Sequence, residues 1–165
     1  MAVQNVSGRM LQRKDTAQNW QTANPILADG EIGYESDTRR MKFGDGTTSW
    51  ASLPYYGCYN PGDTFTTRWD GTGHISGSSK TLFFTISLPM PIAATNVSVD
   101  KSTGKITLRQ NGKNVEKALS FFDTVSLFVT ETGIRIYIAH SVAIDSNFST
   151  NNPIGIRFDG TFTFS

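Results

Sequence analysis

The chain has 165 residues, of which 38% are hydrophobic and 12% aromatic, and a formal net charge of +1. This composition supports a packed core in one ordinary domain or two small ones. A charge this close to zero creates no long-range field, so we expect neither nucleic acid nor a membrane surface as a partner. No apolar run approaches the roughly 20 residues that cross a bilayer, and the N-terminus lacks the apolar stretch of a signal peptide, which predicts cytoplasmic synthesis.

The first helix is predicted after an N-terminal arm. Ser7-Gly8 interrupts the apolar positions of residues 1–12, which favours an extended arm with one short strand over a helix. Asp15 or Thr16 can accept hydrogen bonds from the backbone N–H groups that open a helix. The helix ends at Asn24-Pro25 after roughly two turns, because the residue before a proline avoids the helical conformation.

Short strands and tight turns follow this helix. The residues from Glu31 to Glu35 alternate as a strand does. A second strand is predicted with Met41 and Phe43 on its apolar side, and it ends at the turn Gly44-Asp45-Gly46. A segment this small buries too little surface to be stable alone, so we expect it to pack against copies of itself or against a neighbour.

A long ordered string of residues in this segment resembles a known module. The string is Arg13-Lys14-Asp15-Thr16-Ala17, Asn19-Trp20, Ala23-Asn24-Pro25, Leu27 to Glu35, Asp37-Thr38, Lys42 to Gly46 with Trp50, and Leu53-Pro54-Tyr55. It is similar to the N-terminal module of phage tail and baseplate proteins, which also begins the phage major tropism determinant and some phage hyaluronidases. The resemblance implies a small trimeric β-prism that joins the protein to the virion, and it implies nothing about the ligand.

The clearest boundary in the chain lies at residues 57–63. Asn60-Pro61 and Pro61-Gly62 are both turn signals, and the character of the sequence changes after them. We therefore predict a domain boundary between residues 1–57, which the resemblance implies to be an attachment and trimerisation module, and residues 58–165, a second domain. Cys58 is the single cysteine, which excludes an intrachain disulfide, and we interpret it as an unreactive thiol.

The second domain is predicted to contain only strands and turns. Thr81 to Leu88 alternates as a half-buried strand, and Asn111-Gly112 is a strong hairpin signal between shorter strands. Many short strands at this spacing indicate an antiparallel β-sandwich of the jelly-roll type. The fold is therefore expected to be mainly β, with a small β-prism-like module that contains one short helix and then the sandwich.

Two hairpins of this domain have a predicted register. In the first, a four-residue loop from Thr130 to Gly133 places the apolar residues of both strands on one face. The pairs are Val129 with Ile134, Leu127 with Ile136 and Val125 with Ile138, and the opposite face carries Ser126, Phe128, Arg135 and Tyr137. In the second, residues 154–165 turn through Phe158-Asp159-Gly160, which sets Ile156 opposite Phe162.

No group of residues forms a recognisable catalytic motif. The serines near His74 lack the G-x-S-x-G pattern, and the carboxylates of the second domain lie mostly at turns instead of facing each other as in a glycosidase. We therefore expect no enzyme activity, no cofactor and no metal. The basic residues between Lys101 and Lys117 are interpreted as a solvated hairpin, with contact to an anionic cell-wall polymer as the alternative.

Recognition by an exposed surface is the remaining kind of function. Sugar sites combine an aromatic ring, which stacks on the C–H face of a pyranose, with polar groups that bond its hydroxyls. The best candidate cluster comprises Arg68, Trp69, Asp70 and the glycine-rich loop that contains His74. A role for Trp69 as a core anchor is the alternative. Weaker candidates are Tyr137 with Arg135, and a loop with Asn147, Asn151 and Asn152.

These features, together with the resemblance, predict a phage tail-fibre or baseplate protein that is made in the host bacterial cytoplasm and carried on the virion. Its expected partners are two further copies of itself, other tail or baseplate proteins and a bacterial surface polysaccharide. The alternatives are a purely structural virion subunit and, less favoured, a glycan-degrading tail enzyme. The segment from Asp63 onward also resembles the C-terminal domain of predicted tail proteins of gut bacteriophages, a resemblance that brings no ligand residues.

Overall fold

A computed structural model describes residues 12–76, 80–144, 148 and 152–165. The chain divides into two units, of which the first ends at Tyr56 and the second begins at Gly57. Almost all of the predicted N-terminal arm lies outside the described residues. Within the described residues, no helix combines the length and the apolar character needed to cross a membrane.

The first unit contains one α-helix and a three-stranded sheet. Its elements are β1 (Arg13–Asp15), α1 (Ala17–Ala23), β2 (Ile32–Glu35), β3 (Met41–Phe43) and a 3-10 turn at Trp50–Ser52. β1 pairs with β2 in parallel and β2 pairs with β3 antiparallel. The helix begins as predicted, because Thr16 Oγ1 accepts a hydrogen bond from the Asn19 N–H at 3.2 Å. It ends at Asn24, whose φ of 40° is left-handed.

Two stacked tryptophans form the core of the first unit. The buried apolar residues of this core are Trp20, Leu27, Trp50 and Leu53. The rings of Trp20 and Trp50 lie 4.2 Å apart, and Trp20 Nε1 donates to the Tyr34 carbonyl at 3.0 Å. A Cβ at Gly33 would lie 2.3 Å from the Trp50 ring, so only glycine fits on β2 at that point. A core of this size stabilises the unit only modestly.

The buried face of β3 differs from the prediction. Lys42 is buried, whereas Met41 is half-buried and Phe43 is 41% exposed. Lys42 Nζ donates to the Trp50 carbonyl at 2.9 Å and lies 4.2 Å from the centre of the Tyr55 ring. Burial lowers the pKa of this ammonium group. The prediction that Met41 and Phe43 form the apolar side is therefore wrong, because the long lysine stem packs inside and its charge meets a carbonyl and a ring.

The second unit is a sheet of eight antiparallel strands. The strands are β4 (Thr64–Ser76), β5 (Thr81–Ser87), β6 (Val97–Val99), β7 (Lys105–Gln110), β8 (Lys113–Ala118), β9 (Thr124–Thr130), β10 (Gly133–Ala139) and β11 (Ile154–Phe164). Seven of the strands follow the order β8-β7-β11-β4-β5-β10-β9, and the eighth, β6, pairs with β11 outside this order. A 3-10 turn at Leu119–Phe121 connects β8 to β9. The expected mainly-β fold with one short α-helix is confirmed over the described ranges.

The sheet folds into a sandwich at β4, the strand that both halves share. Residues 64–73 of β4 pair with β11, and residues 74–76 pair with β5. The apolar sides of the two halves meet in one continuous core. The ring centres of Phe84 on β5 and Phe158 on β11 lie 6.2 Å apart. β4 and β11 also pack closely, since a Cβ at Gly73 would lie 2.3 Å from Ile156 Cδ1. The predicted antiparallel sandwich is therefore confirmed.

Local sequence signals located several of these strands correctly. In β5 the alternate residues Leu82, Phe84 and Ile86 are buried. The β7–β8 hairpin turns at Asn111-Gly112, where both residues have positive φ. The β9–β10 pairs are those predicted, from Val129 with Ile134 to Val125 with Ile138. Thr130 and Gly133 also pair, so the loop between them has two residues instead of the predicted four.

Two predicted interruptions are absent, and the strands run through them. The glycine-rich stretch after Trp69 belongs to β4 as far as Ser76. The turn predicted at Phe158-Asp159-Gly160 is wrong, because β11 continues to Phe164 and pairs with β4, β6 and β7. Gly160 faces the core, where the rings of Phe158 and Phe162 stack 5.1 Å apart. A Cβ at Gly160 would lie 2.9 Å from Phe158, so this glycine makes room for the rings and does not form a turn.

Candidate functional site

Four strands of the second unit, β4, β5, β10 and β9, present exposed aromatic side chains on the side opposite the core. One cross-strand row runs through His74, Phe83, Tyr137 and Ser126, and the next through Thr85, Arg135 and Phe128. Side chains alternate along a strand, so these residues all point outward. The exposed fractions are 42% for Phe83, 39% for Tyr137 and 56% for Phe128. We call these two rows the aromatic face.

An open depression lies at one side of the aromatic face. Its volume is about 500 Å³, and it is lined by Thr72, Gly73, His74, Phe83, Phe84, Thr85 and Arg135. The pairing of β4 with β5 is limited to residues 74–76, and residues of β4 before His74 pair with β11 instead. The depression therefore opens where the two strands diverge. The His74 and Phe83 rings stack beside it, with centres 5.4 Å apart.

Along β5, β10, β9 and the three residues of β4 that pair with β5, the outward side chains are mostly aromatic or hydroxylated. By their pairing they are His74, Ser76, Thr81, Phe83, Thr85, Ser87, Thr124, Ser126, Phe128, Thr130, Arg135, Tyr137 and Ala139. This set contains one guanidinium and no carboxylate. Exposed aromatic side chains grouped on one face of a sheet make that face a candidate interaction surface. Its chemistry suits a ligand that offers both C–H surfaces and hydroxyl groups.

Strand alternation separates Trp69 from the residues predicted beside it. Trp69 is half-buried on the core side of β4, whereas Arg68, Asp70 and His74 point outward. The Trp69 ring stacks on Phe84, with centres 5.4 Å apart. It also covers Gly71, where a Cβ would lie 2.1 Å from the ring. Trp69 thus packs in the sandwich, and the predicted cluster does not come together around it.

Arg68 and Asp70 take part in a ladder of ion pairs across β4, β11 and β7. Asp70 Oδ1 accepts from Arg157 Nε at 2.9 Å and from Arg109 Nη1 at 3.1 Å. The hydrogen bond from Arg157 is the main cause that lowers the pKa of the Asp70 carboxyl. Arg68 Nε lies 3.3 Å from Asp159 Oδ1. Both predicted residues therefore pair with other charges of the sheet.

The aromatic face contains three of the predicted site residues and two that the sequence analysis did not single out. His74, Arg135 and Tyr137 lie on it together. Phe83 and Phe128 were missed as site residues, although each occupies the polar side of its predicted strand. A large ring on a predicted solvent face is the signal that would have found them. Asn147 and Asn151 lie outside the described residues, and Asn152 is exposed before β11.

Titratable residues elsewhere in the second unit form structural contacts. His140 Nδ1 lies 3.2 Å from Asp123 Oδ2, and its ring packs 4.3 Å from that of Phe121. The Ser141 N–H also donates to Asp123, and this hydrogen bond is the main cause that lowers the pKa of that carboxyl. No group of three or more His, Cys, Asp or Glu side chains within the described ranges could hold a metal ion.

Comparisons with known proteins concern mainly the beginning of the chain. Residues 12–48 match the model of the major tropism determinant N-terminal domain. The chain is 38% identical over 52 residues to a hyaluronoglucosaminidase of Streptococcus pyogenes phage H4489A. That similarity covers 32% of this chain and 14% of the length of the phage protein. No solved structure matches the chain significantly. The first unit of the chain therefore contains a module of the major tropism determinant N-terminal kind, as its sequence predicted.

Proposed function

We propose that the protein is a receptor-binding protein of a phage tail fibre or baseplate. In this proposal the first unit attaches to other virion proteins and forms a trimer, and the second unit binds a bacterial surface glycan. Two findings support the assignment to a phage particle: the match to the major tropism determinant N-terminal domain and the similarity to a phage-encoded protein. The exposed aromatic face is the observation that carries the binding role.

The aromatic face has the chemistry that sugar recognition requires. Phe83 and Tyr137 are cross-strand neighbours on the aromatic face, so both rings are within reach of one glycan and can stack on the C–H face of a pyranose. Thr85 and Ser126 place hydroxyl groups next to these rings. Neighbouring strands lie about 4.8 Å apart. A glycan that lies across β4, β5 and β10 would touch His74, Phe83 and Tyr137 in turn.

Two other functions are less well supported. A purely structural subunit has no need of three aromatic rings exposed on its sandwich, unless another virion protein covers them. A glycosidase needs two carboxyl groups about the scissile bond, and the outward residues of the aromatic face include none. The similarity to the phage hyaluronoglucosaminidase covers too little of that protein to bring its activity to this chain. We therefore propose binding without hydrolysis.

The test is binding of the labelled full-length protein to a panel of bacterial strains, with Tyr137→Ala compared with Phe121→Ala. Phe121 is a matched control, since its ring is 37% exposed in the same unit but lies outside the aromatic face. We expect saturable binding to some strains, and Tyr137→Ala should weaken it about tenfold through loss of ring stacking. Phe121→Ala should bind as the wild type does.

Equal binding by Tyr137→Ala and wild-type protein would place the receptor site elsewhere. Absence of binding to every strain that the phage infects, with normal assembly into particles, would instead favour the structural subunit. Release of new reducing ends from the bound polysaccharide would show that the protein is an enzyme.

A further inference from the structure

Arg135 is the single permanent charge of the aromatic face. Its cross-strand neighbours, Thr85 and Phe128, are both uncharged. Arg135 is exposed, and the described part of the chain provides no ion-pair partner for it. The arginines on the other half of the sandwich differ, because Arg68, Arg109 and Arg157 are each paired with an aspartate. A guanidinium without a carboxylate partner keeps its donors available for a ligand.

The charge of Arg135 lies at the open depression beside the aromatic face. Arg135 lines it together with the rings of His74 and Phe83 and the hydroxyl-bearing residues Thr72 and Thr85. A sugar ring on Phe83 would therefore have hydroxyl donors and acceptors beside it and a guanidinium within the same recess. The planar guanidinium binds a carboxylate or a phosphate through two parallel hydrogen bonds. The aromatic face contributes no acidic side chain, and the outward carboxylate of Asp70 on β4 is already paired with Arg157 and Arg109, which favours an anion and disfavours a cationic ligand.

We propose that the aromatic face binds an anionic glycan and that Arg135 pairs with its carboxylate or phosphate group. This inference rests on the proposed function, since it specifies the class of glycan that the face recognises. Phe83 and Tyr137 supply stacking for the sugar ring, and Arg135 supplies selectivity for the acidic residue of the polymer. Thr72 and Thr85 bond its hydroxyls.

The basic hairpin formed by β7 and β8 is a poorer anion site, because its cations already have partners. Lys105 Nζ lies 3.3 Å from Glu116 Oε1, and Arg109 pairs with Asp70. Lys117 Nζ lies 4.5 Å from the centre of the Phe121 ring. An anionic polymer would have to displace these contacts, whereas at Arg135 it would displace only solvent.

The experiment measures the affinity of the full-length protein for a panel of purified acidic bacterial polysaccharides, some rich in uronic acid and some in phosphodiesters. Each uronate polymer is also tested after chemical reduction of its carboxyl groups to alcohols. The phosphate polymers are chosen with phosphodiesters on side groups, and each is also tested after removal of these groups, which leaves the backbone intact. The variants are Arg135→Gln and, as a matched control, Arg68→Gln. Arg68 is an exposed arginine of the same unit that is already paired with Asp159.

We expect at least one acidic polymer to bind, and neutralising that polymer should weaken binding at least about tenfold. Arg135→Gln should cause a similar loss, Arg68→Gln should not, and neutralisation should cost the Arg135→Gln variant nothing further, because both changes remove the same interaction. Whether carboxyl reduction or phosphate removal causes the loss identifies the anionic group.

Several results would overturn this inference, and they differ in what they say of the proposed function. Equal affinity for neutralised and acidic polymer, with loss of binding in Tyr137→Ala, would show that the aromatic face binds a glycan without using its charge. Charge-dependent binding that Arg135→Gln leaves unchanged would place the anion site elsewhere. Binding to host cells but to none of the polysaccharides would point to another kind of receptor. Absence of binding both to host cells and to the polysaccharides would overturn the proposed receptor function as well.

Discussion

Asp70 shows how the position of a residue along a strand decides its role. As a sequence neighbour of Trp69 it was a candidate ligand for sugar hydroxyls, but the strand directs the two side chains to opposite faces. On the outer face Asp70 accepts hydrogen bonds from Arg157 and Arg109, which come from two other strands. The carboxylate therefore connects β4, β11 and β7 through ion pairs.

The lowered pKa of Asp70 predicts a specific pH dependence of stability. Because the folded protein holds this pKa below its ordinary value, the ionised carboxylate stabilises the fold above the ordinary pKa of about 3.9. The contribution is lost as the pH falls through the lowered folded-state pKa. Urea unfolding of wild type and Asp70→Asn should therefore differ most above about pH 5 and converge toward pH 2. A constant difference over this range would contradict the prediction.

The residues of the candidate site were only partly predictable from sequence. Arg135 and Tyr137 were found because hairpin register is a local property, and Phe128 was assigned to the same face by the same argument. Grouping His74 with them required the pairing of β4 with β5 and of β5 with β10. Those pairings join residues that are far apart in the sequence, so local patterns do not reveal them.

Glycines account for the largest errors in the strands and turns predicted from sequence. Asp159-Gly160 and the glycines after Trp69 are turn signals when read locally. In the fold, Gly160 and Gly71 instead lie under aromatic rings, and the strands continue past them. Strands with ordinary alternation, such as β5 and the β9–β10 pair, were located correctly. A glycine required by ring packing gives the same local sequence signal as a glycine required by a turn.

The packing of Gly160 predicts the effect of adding one methyl group. In Gly160→Ala the new Cβ would lie 2.9 Å from the buried Phe158 ring, which is held by its stacking on Phe162. We expect a loss of about 1–3 kcal/mol in the free energy of unfolding. Gly155→Ala is the matched control on β11, with its nearest contact at 3.4 Å, and should change stability by less than about 0.5 kcal/mol. Equal stability of the two variants in urea would refute this explanation.

The first unit has an incomplete core. Its buried apolar cluster contains only Trp20, Leu27, Trp50 and Leu53. Large apolar side chains remain exposed on the same unit, with values of 58% for Ile26, 41% for Phe43 and 66% for Tyr56. Phe43 and Tyr56 pack against each other edge-to-face, 5.1 Å apart. Contact with further copies of the chain would cover this surface.

The proposed trimer predicts a sedimentation result. The full-length chain should sediment at micromolar concentration with about three times its mass of 18.1 kDa. Phe43→Glu should shift the protein toward monomer, because it buries an unpaired charge at the proposed contact. Phe128→Glu, a change of the same kind on the second unit, should remain trimeric. A monomeric wild-type protein would reject the trimer without affecting the glycan site.

The central position of β11 has a consequence for synthesis. β11 lies between β4 and β7, yet it is the last strand of the second unit to leave the ribosome. Until it emerges, β7 and β8 have no strand that connects them to β4, so this half of the sandwich stays unpaired and its apolar side chains stay exposed to solvent. The described elements of the first unit are all made by residue 56, so this unit can contact further copies of itself well before that moment. In the proposed trimer, nascent chains on one messenger would associate through their first units before the second unit of any chain is complete.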